Sequence, residues 1–378
     1  DRQTDRQTDR QTDRQTDRQT DRRDHFIDFA KGISILLVLW GHCIQYMSVG
    51  TFDFFEDNAF KVIYSFHMPL FMLLSGYVSY WGCNKKLNAI ITNRLRGIGI
   101  PLFAWGTLDF IIGSISASGA FNVRAWFYSI IEIWFLWAVL CASIFVAIIH
   151  KLPTSTFLKY LIMIFGVVLF VKIPGGTSSG FVYPYFVIGY AMNEWNLFAN
   201  GAYRKVIQPI CGIVWVILLL FYKKESYIYI SGLTWKIKEI GLLGQICIDL
   251  YRYVIGLVGC IAVVGLLEIL YRGIVQKDCI KSKLASEGLG VIERFGLHTL
   301  EVYVIQRIVL ERCFAKGYEY VVNLMDQNIL ALNLALYDLV FSLMIAVLIG
   351  YVLLRISEAI SKHSRLSLLL FGKNVRVT

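Results

Sequence analysis

Ten apolar segments, most of them close to the length that crosses a bilayer, occupy most of this 378-residue chain. A membrane-spanning helix needs about 20 mainly apolar residues, and hydrophobic residues make up 56% of the chain against 17% charged. The sequence therefore predicts an all-α integral membrane protein, a bundle of about ten transmembrane helices. The predicted spans are 27–48, 60–81, 98–116, 126–149, 157–172, 181–198, 205–222, 248–271, 296–314 and 333–354.

The basic residues predict how these spans are oriented. A net charge of +10 is compatible with nucleic-acid binding, but Lys and Arg cluster in the short loops after the second, sixth, eighth and tenth spans. That is the positive-inside pattern of membrane proteins. We therefore expect a lipid bilayer and no nucleic acid as partner, with both termini cytoplasmic. The loop 223–247 is an exception, because it carries lysines on the predicted outer side.

The first span carries two ionisable side chains, Lys31 and His42. Eleven positions are about three helical turns, so both side chains are predicted to lie on one face of the helix. An ionisable group inside a membrane span usually faces a polar cavity or a partner. The pattern predicts one wall of a polar passage, with Lys31 at the inner mouth and His42 deeper.

Three further ionisable residues fall at a similar predicted depth in the next three spans: His67, Asp109 and Glu132. A carboxylate beside an imidazole fixes its tautomer and raises its basicity, as a general base requires. Asp109 and Glu132 are both candidates for that role beside His42, and the sequence does not choose between them. Each of these groups is also compatible with a purely structural polar contact.

The chain begins with five copies of Asp-Arg-Gln-Thr, residues 1–20. With no apolar residue, the segment 1–23 is predicted to be disordered. It precedes a predicted membrane domain over 24–356 and a basic cytoplasmic tail over 357–378. A repeated GACA tetranucleotide, read in triplets, encodes this peptide. We interpret the tract as a slippage-prone switch that turns expression on and off, which is typical of genes for bacterial surface antigens.

Six motifs together resemble one family. They are KGISILLVLWGH at 31–42, FHMPLFMLLSGY at 66–77, RLRGIGIP at 94–101, IWFLWAVL at 133–140, FVYPYFVIGY at 181–190 and FGLHTLEVYVIQ at 295–306. In this order they are similar to the membrane-bound acyltransferase 3 family, and more closely to its fucose 4-O-acetylase-like branch. The resemblance covers nearly all of the chain after the repeat. The family O-acylates sugars at bacterial surfaces.

The resemblance implies roles for particular residues. The family's motif is an arginine, ten intervening residues and then a histidine. His42 matches the histidine, and Lys31 stands in place of the arginine. Lysine keeps the positive charge but lacks the two-pronged hydrogen bonding of a guanidinium group. Gln306 stands where many relatives have histidine, and we assign it no catalytic role. His42 is the expected base, and His67 is expected either to stabilise the oxyanion or to pass on the proton.

The implied substrates are an acyl-CoA donor, usually acetyl-CoA, and a glycan or lipid-linked sugar acceptor at the bacterial inner membrane. Lys31, Arg94 and Arg96 lie at the predicted inner mouth, where cations suit the phosphates of the donor. Arg94 and Arg96 are equally compatible with ordinary positive-inside topology. No cysteine forms a pair at metal-ligand spacing, so no metal is expected.

Two other functions fit a chain with many spans. One is a transporter or flippase of lipid-linked glycan, in which buried charges line a substrate path; the sequence shows no convincing internal repeat of that kind. The other is a glycan polymerase, which would tend to carry a larger outer loop than any here. No GxSxG motif is present, which argues against a serine nucleophile of the hydrolase type.

The interpretation of the repeat is tested by the gene itself. If a tetranucleotide tract encodes residues 1–20, the five copies use identical codons, because the DNA repeat also fixes the third base of each codon. Sequencing of independent isolates should also show tracts that differ by whole tetranucleotides. Synonymous codon differences among the copies would contradict slippage.

Overall fold

The computed structural model describes residues 24–47, 53–116, 122–233, 237–276, 283–314 and 342–373. Within these ranges all regular structure is helical, which confirms the all-α prediction. The α-helices are α1 His25–Met47, α2 Asn58–Gly82, α3 Leu87–Arg94, α4 Ile100–Ser116, α5 Val123–Ile131, α6 Trp134–Lys151, α7 Thr156–Phe165, α8 Val167–Phe170, α9 Thr177–Glu194, α10 Gln208–Leu219, α11 Ile228–Ser231, α12 Ile237–Gln276, α13 Lys283–Leu297, α14 Thr299–Gln306, α15 Ser342–Lys362 and α16 Ser364–Phe371.

Short 3-10 and π-helical turns supplement them. The 3-10 turns are Phe54–Glu56, Leu197–Ala199 and Lys224–Ser226, and the π-helical turns are Leu95–Gly99, Tyr203–Ile207 and Arg307–Phe314. The predicted disordered segment 1–23 lies outside the described residues.

Six helical segments in the described residues are long and apolar enough to cross a membrane: His25–Tyr46, Asn58–Gly82, Leu87–Ile115, Trp134–Lys151, Ile240–Val275 and Ser342–Lys362. They support a multi-pass membrane protein. The total of ten spans and the cytoplasmic placement of both termini remain predictions.

Several predicted spans differ from the helices observed. The span predicted at 126–149 is broken between α5 and α6, so that Glu132 lies at the end of α5. The span predicted at 157–172 is interrupted at Gly166, between α7 and α8. The last predicted span ends too early, because α15 continues to Lys362; residues 333–341 of that prediction lie outside the described residues.

Close backbone contacts between helices fix the interior of the bundle. A Cβ on Gly76 of α2 would lie 1.9 Å from the carbonyl oxygen of Phe186 in α9, and one on Gly189 would lie 1.9 Å from that of Leu73. Gly32 of α1 and Gly296 of α13 meet in the same reciprocal way. Glycine allows such approach in membrane bundles, where helix association relies on tight packing.

The C-terminal residues are packed against the bundle instead of forming a separate tail. The predicted boundary at 356/357 falls inside α15, and α16 then returns to α4. There the indole Nε1 of Trp105 donates to the Leu370 carbonyl over 3.0 Å, and its ring stacks on Phe371. Phe371 at the end of α16 explains the difference, because its ring is buried against Trp105 of α4.

The glycine contact between α2 and α9 predicts a stability effect. Gly76→Ala should destabilise the protein by roughly 1–3 kcal/mol, because the added methyl group overpacks the helix crossing. Gly273→Ala is the matched control, since a Cβ there meets no atom within 4 Å. We expect a lower melting temperature for Gly76→Ala alone in detergent; equal melting temperatures would contradict the close approach.

Candidate active site

One face of α1 lines two adjoining cavities. Lys31, Ile35 and Val38 line the first, and Val38 and His42 line the second. The spacing of these four positions is that of a single helical face, so Lys31 and His42 lie on one side of α1 as predicted. The two cavities share Val38, Met68 and Tyr303 in their walls. Together they form the geometry expected of a passage along α1.

The cavity beside Lys31, here called the Lys31 cavity, has a volume of about 220 Å³. Lys373, just after α16, also lines it, and its ammonium contacts the buried carboxylate of Glu301 in α14. Arg94 lies near enough to Lys31 for electrostatic interaction. Lys31, Arg94 and Lys373 therefore concentrate positive charge at this end, and Glu301 compensates Lys373.

The predicted donor-binding arginines do not themselves line this cavity. Arg94 ends α3, where its guanidinium lies 3.4 Å from the Ser79 hydroxyl of α2. Arg96 follows in the π-helical turn Leu95–Gly99, and its backbone carbonyl packs against Gly372. Of the three cations predicted to hold the donor, the structure thus places Lys31 in the cavity wall and Arg94 beside it.

The second cavity, here called the His42 cavity, has a volume of about 300 Å³. His42 and His67 both line it, so the structure brings the two predicted histidines to one site. His42 is half-buried and its ring lies edge-on to Tyr46, while His67 is buried against the ring of Tyr64, 4.4 Å away between centroids. The site therefore combines two imidazoles with phenol side chains.

The hydrogen bond of His67 determines its tautomer. Its Nδ1 lies 2.9 Å from the backbone carbonyl of Ile63. Because a carbonyl can only accept, Nδ1 carries the hydrogen and Nε2 keeps the lone pair. A neutral His67 is therefore a proton acceptor at Nε2. Of the two roles predicted for it, this geometry suits proton transfer and does not suit donation to an oxyanion.

Gln306 lies beside the His42 ring, a proximity that the sequence did not reveal. Both atoms of its side-chain amide, and Nδ1 of His42, are buried without a hydrogen-bond partner in the described part of the chain. Buried polar atoms without a partner are uncommon in proteins. A small rotation of the amide would let Gln306 hold the imidazole through Nδ1, leaving Nε2 for the cavity.

Asp109 does not pair with His42. It is buried on α4, and both of its oxygens accept from Arg312, over 3.0 and 3.1 Å. The two parallel hydrogen bonds use both carboxylate oxygens. Asp109 therefore joins α4 to the π-helical turn Arg307–Phe314, and the expected contact with an imidazole is not observed.

Glu132 is also engaged elsewhere. It is 57% exposed at the end of α5 and accepts from Arg307 over 2.6 Å. The sequence placed it inside a span, but the break between α5 and α6 moves it to a helix junction. Neither Asp109 nor Glu132 is among the described residues that line the His42 cavity.

A carboxylate that the sequence analysis missed does line it. Glu311 lies in the wall of the His42 cavity, accepts from the Tyr46 hydroxyl over 3.4 Å and lies 3.7 Å from Nε of Arg307. A signal was present: Arg307, Glu311 and Arg312 all fall inside the predicted span 296–314. Charges in a membrane span are costly and usually functional or paired, so this cluster was a candidate from the sequence.

No metal centre is formed by the residues in the described ranges. Within them, no three His, Cys, Asp or Glu side chains lie close enough together to hold a metal ion.

The ion pair with Arg312 predicts that Asp109 stabilises the fold and has no part in catalysis. Asp109→Asn should lower the free energy of unfolding by roughly 1–3 kcal/mol, below the ~3–5 kcal/mol of a fully buried pair, because Arg312 is 39% exposed. Glu132→Gln should cost only about 0–1 kcal/mol, as for an exposed pair. Melting temperatures in detergent measure both. An Asp109→Asn protein of unchanged melting temperature that loses its activity would contradict this assignment.

Comparisons with known proteins show the family of the chain. The chain is 29% identical over 226 residues to nodulation protein NolL of Mesorhizobium japonicum, covering 55% of this chain and 58% of the relative. It is 33% identical over 136 residues to nodulation protein NolL of Sinorhizobium fredii, covering 32% and 35%. These alignments thus span less than two thirds of either relative. No solved structure is significantly similar. The acyltransferase domain of the acyltransferase 3 family matches residues 24–355, and the chain belongs to that family.

Proposed function

We propose that this membrane acyltransferase moves an acyl group, most simply acetyl, from acyl-CoA to a sugar hydroxyl of a surface polysaccharide or lipopolysaccharide. The observation that carries the proposal is the single face of α1, which joins a cation-lined cavity to a cavity that contains two histidines. The donor and the acceptor need separate entrances, because the cell keeps acyl-CoA in the cytoplasm and displays its glycans outside.

The Lys31 cavity suits the donor. The phosphates of a coenzyme A thioester are polyanionic, and ammonium and guanidinium groups hold phosphates by charge-assisted hydrogen bonds. Lys31 lies in the wall, with Arg94 nearby. The apolar side chains between Lys31 and His42, Ile35 and Val38, suit the less polar arm of such a donor as it extends towards the histidines.

The His42 cavity suits the transfer step. The sugar oxygen attacks the thioester carbonyl and forms the new C–O bond, and its proton passes to an imidazole. The C–S bond then breaks, and the departing sulfur takes that proton from the imidazolium to leave as the coenzyme A thiol. His42 is the base in this proposal. His67, with its lone pair on Nε2, serves as a second proton acceptor and relay. Holding both reactants in one enclosed site supplies the alignment that the reaction needs.

The sequence supports a membrane location and a pattern of expression for the proposed enzyme. The resemblance to acyltransferases of bacterial surfaces supports a location in the inner membrane. The repeat at residues 1–20 supports an expression that varies between cells, so that the acyl group would be present on the glycan of only part of a population.

Replacement of His42 tests the function. In cells that express His42→Ala, the mass of the surface glycan should lack an acetyl-sized increment at unchanged chain length and export, because general-base catalysis contributes about 10²–10⁴-fold in rate. His363→Ala is the matched control, since His363 is exposed before α16, away from both cavities. Mass spectrometry of the extracted glycan measures the effect.

The rival functions give different outcomes in the same experiment. Loss of glycan export in the His42→Ala strain would favour the transporter, and shortened chains would favour the polymerase. A glycan that keeps its acetyl group in this strain would show that His42 is not the base.

A further inference from the structure

A segment between α10 and α12 forms much of the His42 cavity wall. It runs from 222 to 233 and includes the short helix α11. Five of its residues line the cavity: Tyr222, Ser226, Tyr227, Ile228 and Tyr229. We call residues 222–233 the wall segment. The proposed reaction does not use any of these side chains, although they lie in the same cavity as His42 and His67.

A buried arginine holds the wall segment in place. Arg252 of α12 is only 2% exposed, and its guanidinium donates to three backbone carbonyls of the segment: Glu225 over 2.6 Å, Ser226 over 2.9 Å and Gly232 over 2.5 Å. A fourth hydrogen bond goes to Asp249. Backbone carbonyls satisfied by a charged donor fix the path of the chain. The segment therefore has a defined shape at the cavity.

Contacts with the turn Phe54–Glu56, which precedes α2, hold the segment from its other side. Lys224 forms an ion pair with Asp53 over 2.8 Å and lies over the ring of Phe55. The hydrogen bond from Lys224 lowers the pKa of the Asp53 carboxyl group, with a smaller effect from the backbone N–H of Phe55. The Tyr227 hydroxyl donates to the Phe55 carbonyl over 3.3 Å. The wall segment is thus joined to α2 as well as to α12.

Aromatic rings extend from this segment to the histidines. The Tyr229 ring lies 6.1 Å from Tyr64 and 5.7 Å from Tyr227, between centroids. Tyr64 in turn contacts His67. Tyr227 is 1% exposed and bonded to Phe55, so it is part of the packed interior, whereas Tyr229 is 47% exposed. Of these three rings, Tyr229 has the largest exposed fraction, and it also lines the cavity.

This wall has the chemistry that recognises a sugar ring. One face of a pyranose presents C–H groups and its edge presents hydroxyls, so it needs a flat apolar surface bordered by polar groups. Tyrosine supplies a rigid ring of that kind with a polar end, at a low cost in conformational entropy. Gln45 and Ser226 add polar side chains to the same cavity. Its volume of about 300 Å³ is near the lower limit of ligand sites and suits one sugar residue.

We propose that Tyr229 and the wall segment form the binding subsite for the acceptor sugar, with Tyr229 stacking on the ring whose hydroxyl receives the acyl group. This inference rests on the proposed function and assigns the acceptor sugar to one part of the His42 cavity. Tyr229 is then a residue that determines acceptor affinity. The hydrogen bonds of Arg252 hold the segment that carries Tyr229, and Tyr64 lies between the Tyr229 ring and His67.

Kinetics with both substrates test the subsite. Purified protein is placed in proteoliposomes with ¹⁴C-acetyl-CoA and, as acceptor probe, surface glycan extracted from a strain lacking the gene and deacetylated by mild alkali. Tyr229→Ala should raise KM for the glycan roughly 10-fold, because an aromatic stacking partner is lost. KM for acetyl-CoA should not change; a small fall in melting temperature is expected, because the substitution also removes the ring contacts with Tyr64 and Tyr227. Tyr229→Phe keeps the ring and should stay within about 2-fold of wild type.

Tyr351→Ala is the matched control, because Tyr351 is equally exposed at 47% but lies on α15. It should leave both KM values unchanged. An unchanged glycan KM in Tyr229→Ala, or an equal rise in the KM for acetyl-CoA, overturns the subsite.

The two proposals fail in different ways. If wild-type protein transfers label and Tyr229→Ala matches it in every parameter, the subsite is wrong and the acyltransferase function stands. If wild-type protein transfers no label from acetyl-CoA to the glycan, the proposed function fails, and the subsite fails with it.

Discussion

Charged groups in a lipid-embedded helix bundle must find a partner inside the protein, and this constraint accounts for most of the arrangement described. Without water to solvate it, a charge between helices is stable only beside an opposite charge, several hydrogen bonds or a polar cavity. Asp109 binds Arg312, and Arg252 binds backbone carbonyls. Lys31 and His42 instead face cavities. The groups that face cavities are those with capacity left for a substrate.

The close helix crossings make those cavities small and specific. Where Gly76 and Gly189 meet, and where Gly32 and Gly296 meet, backbones touch and leave no room between helices. In the described residues, two cavities remain along the Lys31–His42 face of α1, where side chains separate the helices. Val38, Met68 and Tyr303 stand at the junction of the two cavities. In the proposed function, an acyl chain that extends from the Lys31 cavity into the His42 cavity would pass these three side chains, which makes them candidates for selecting its length.

The helical periodicity of the sequence predicted which side chains share a face of one helix. It could not predict contacts between side chains of two different helices. The shared face of Lys31 and His42 follows from helix geometry alone, and the structure places them so. The partner of Asp109 is Arg312, about two hundred positions away, and no spacing rule connects them. Equal depth in four predicted spans did not imply contact, because depth leaves the direction of each side chain open. The partner of Glu132, Arg307, and the packing of α16 on α4 likewise depend on contacts between residues far apart in the chain.

The return of α16 to α4 has a consequence for assembly. Lys373 follows every helix described and still lines the Lys31 cavity, where its ammonium contacts Glu301. Membrane helices enter the bilayer as the ribosome makes them, so Lys373 joins this corner after all of the described helices have been made. A chain cut after Phe371 would keep all of these helices and leave the buried carboxylate of Glu301 with His298, 3.8 Å away, as its remaining ionisable neighbour.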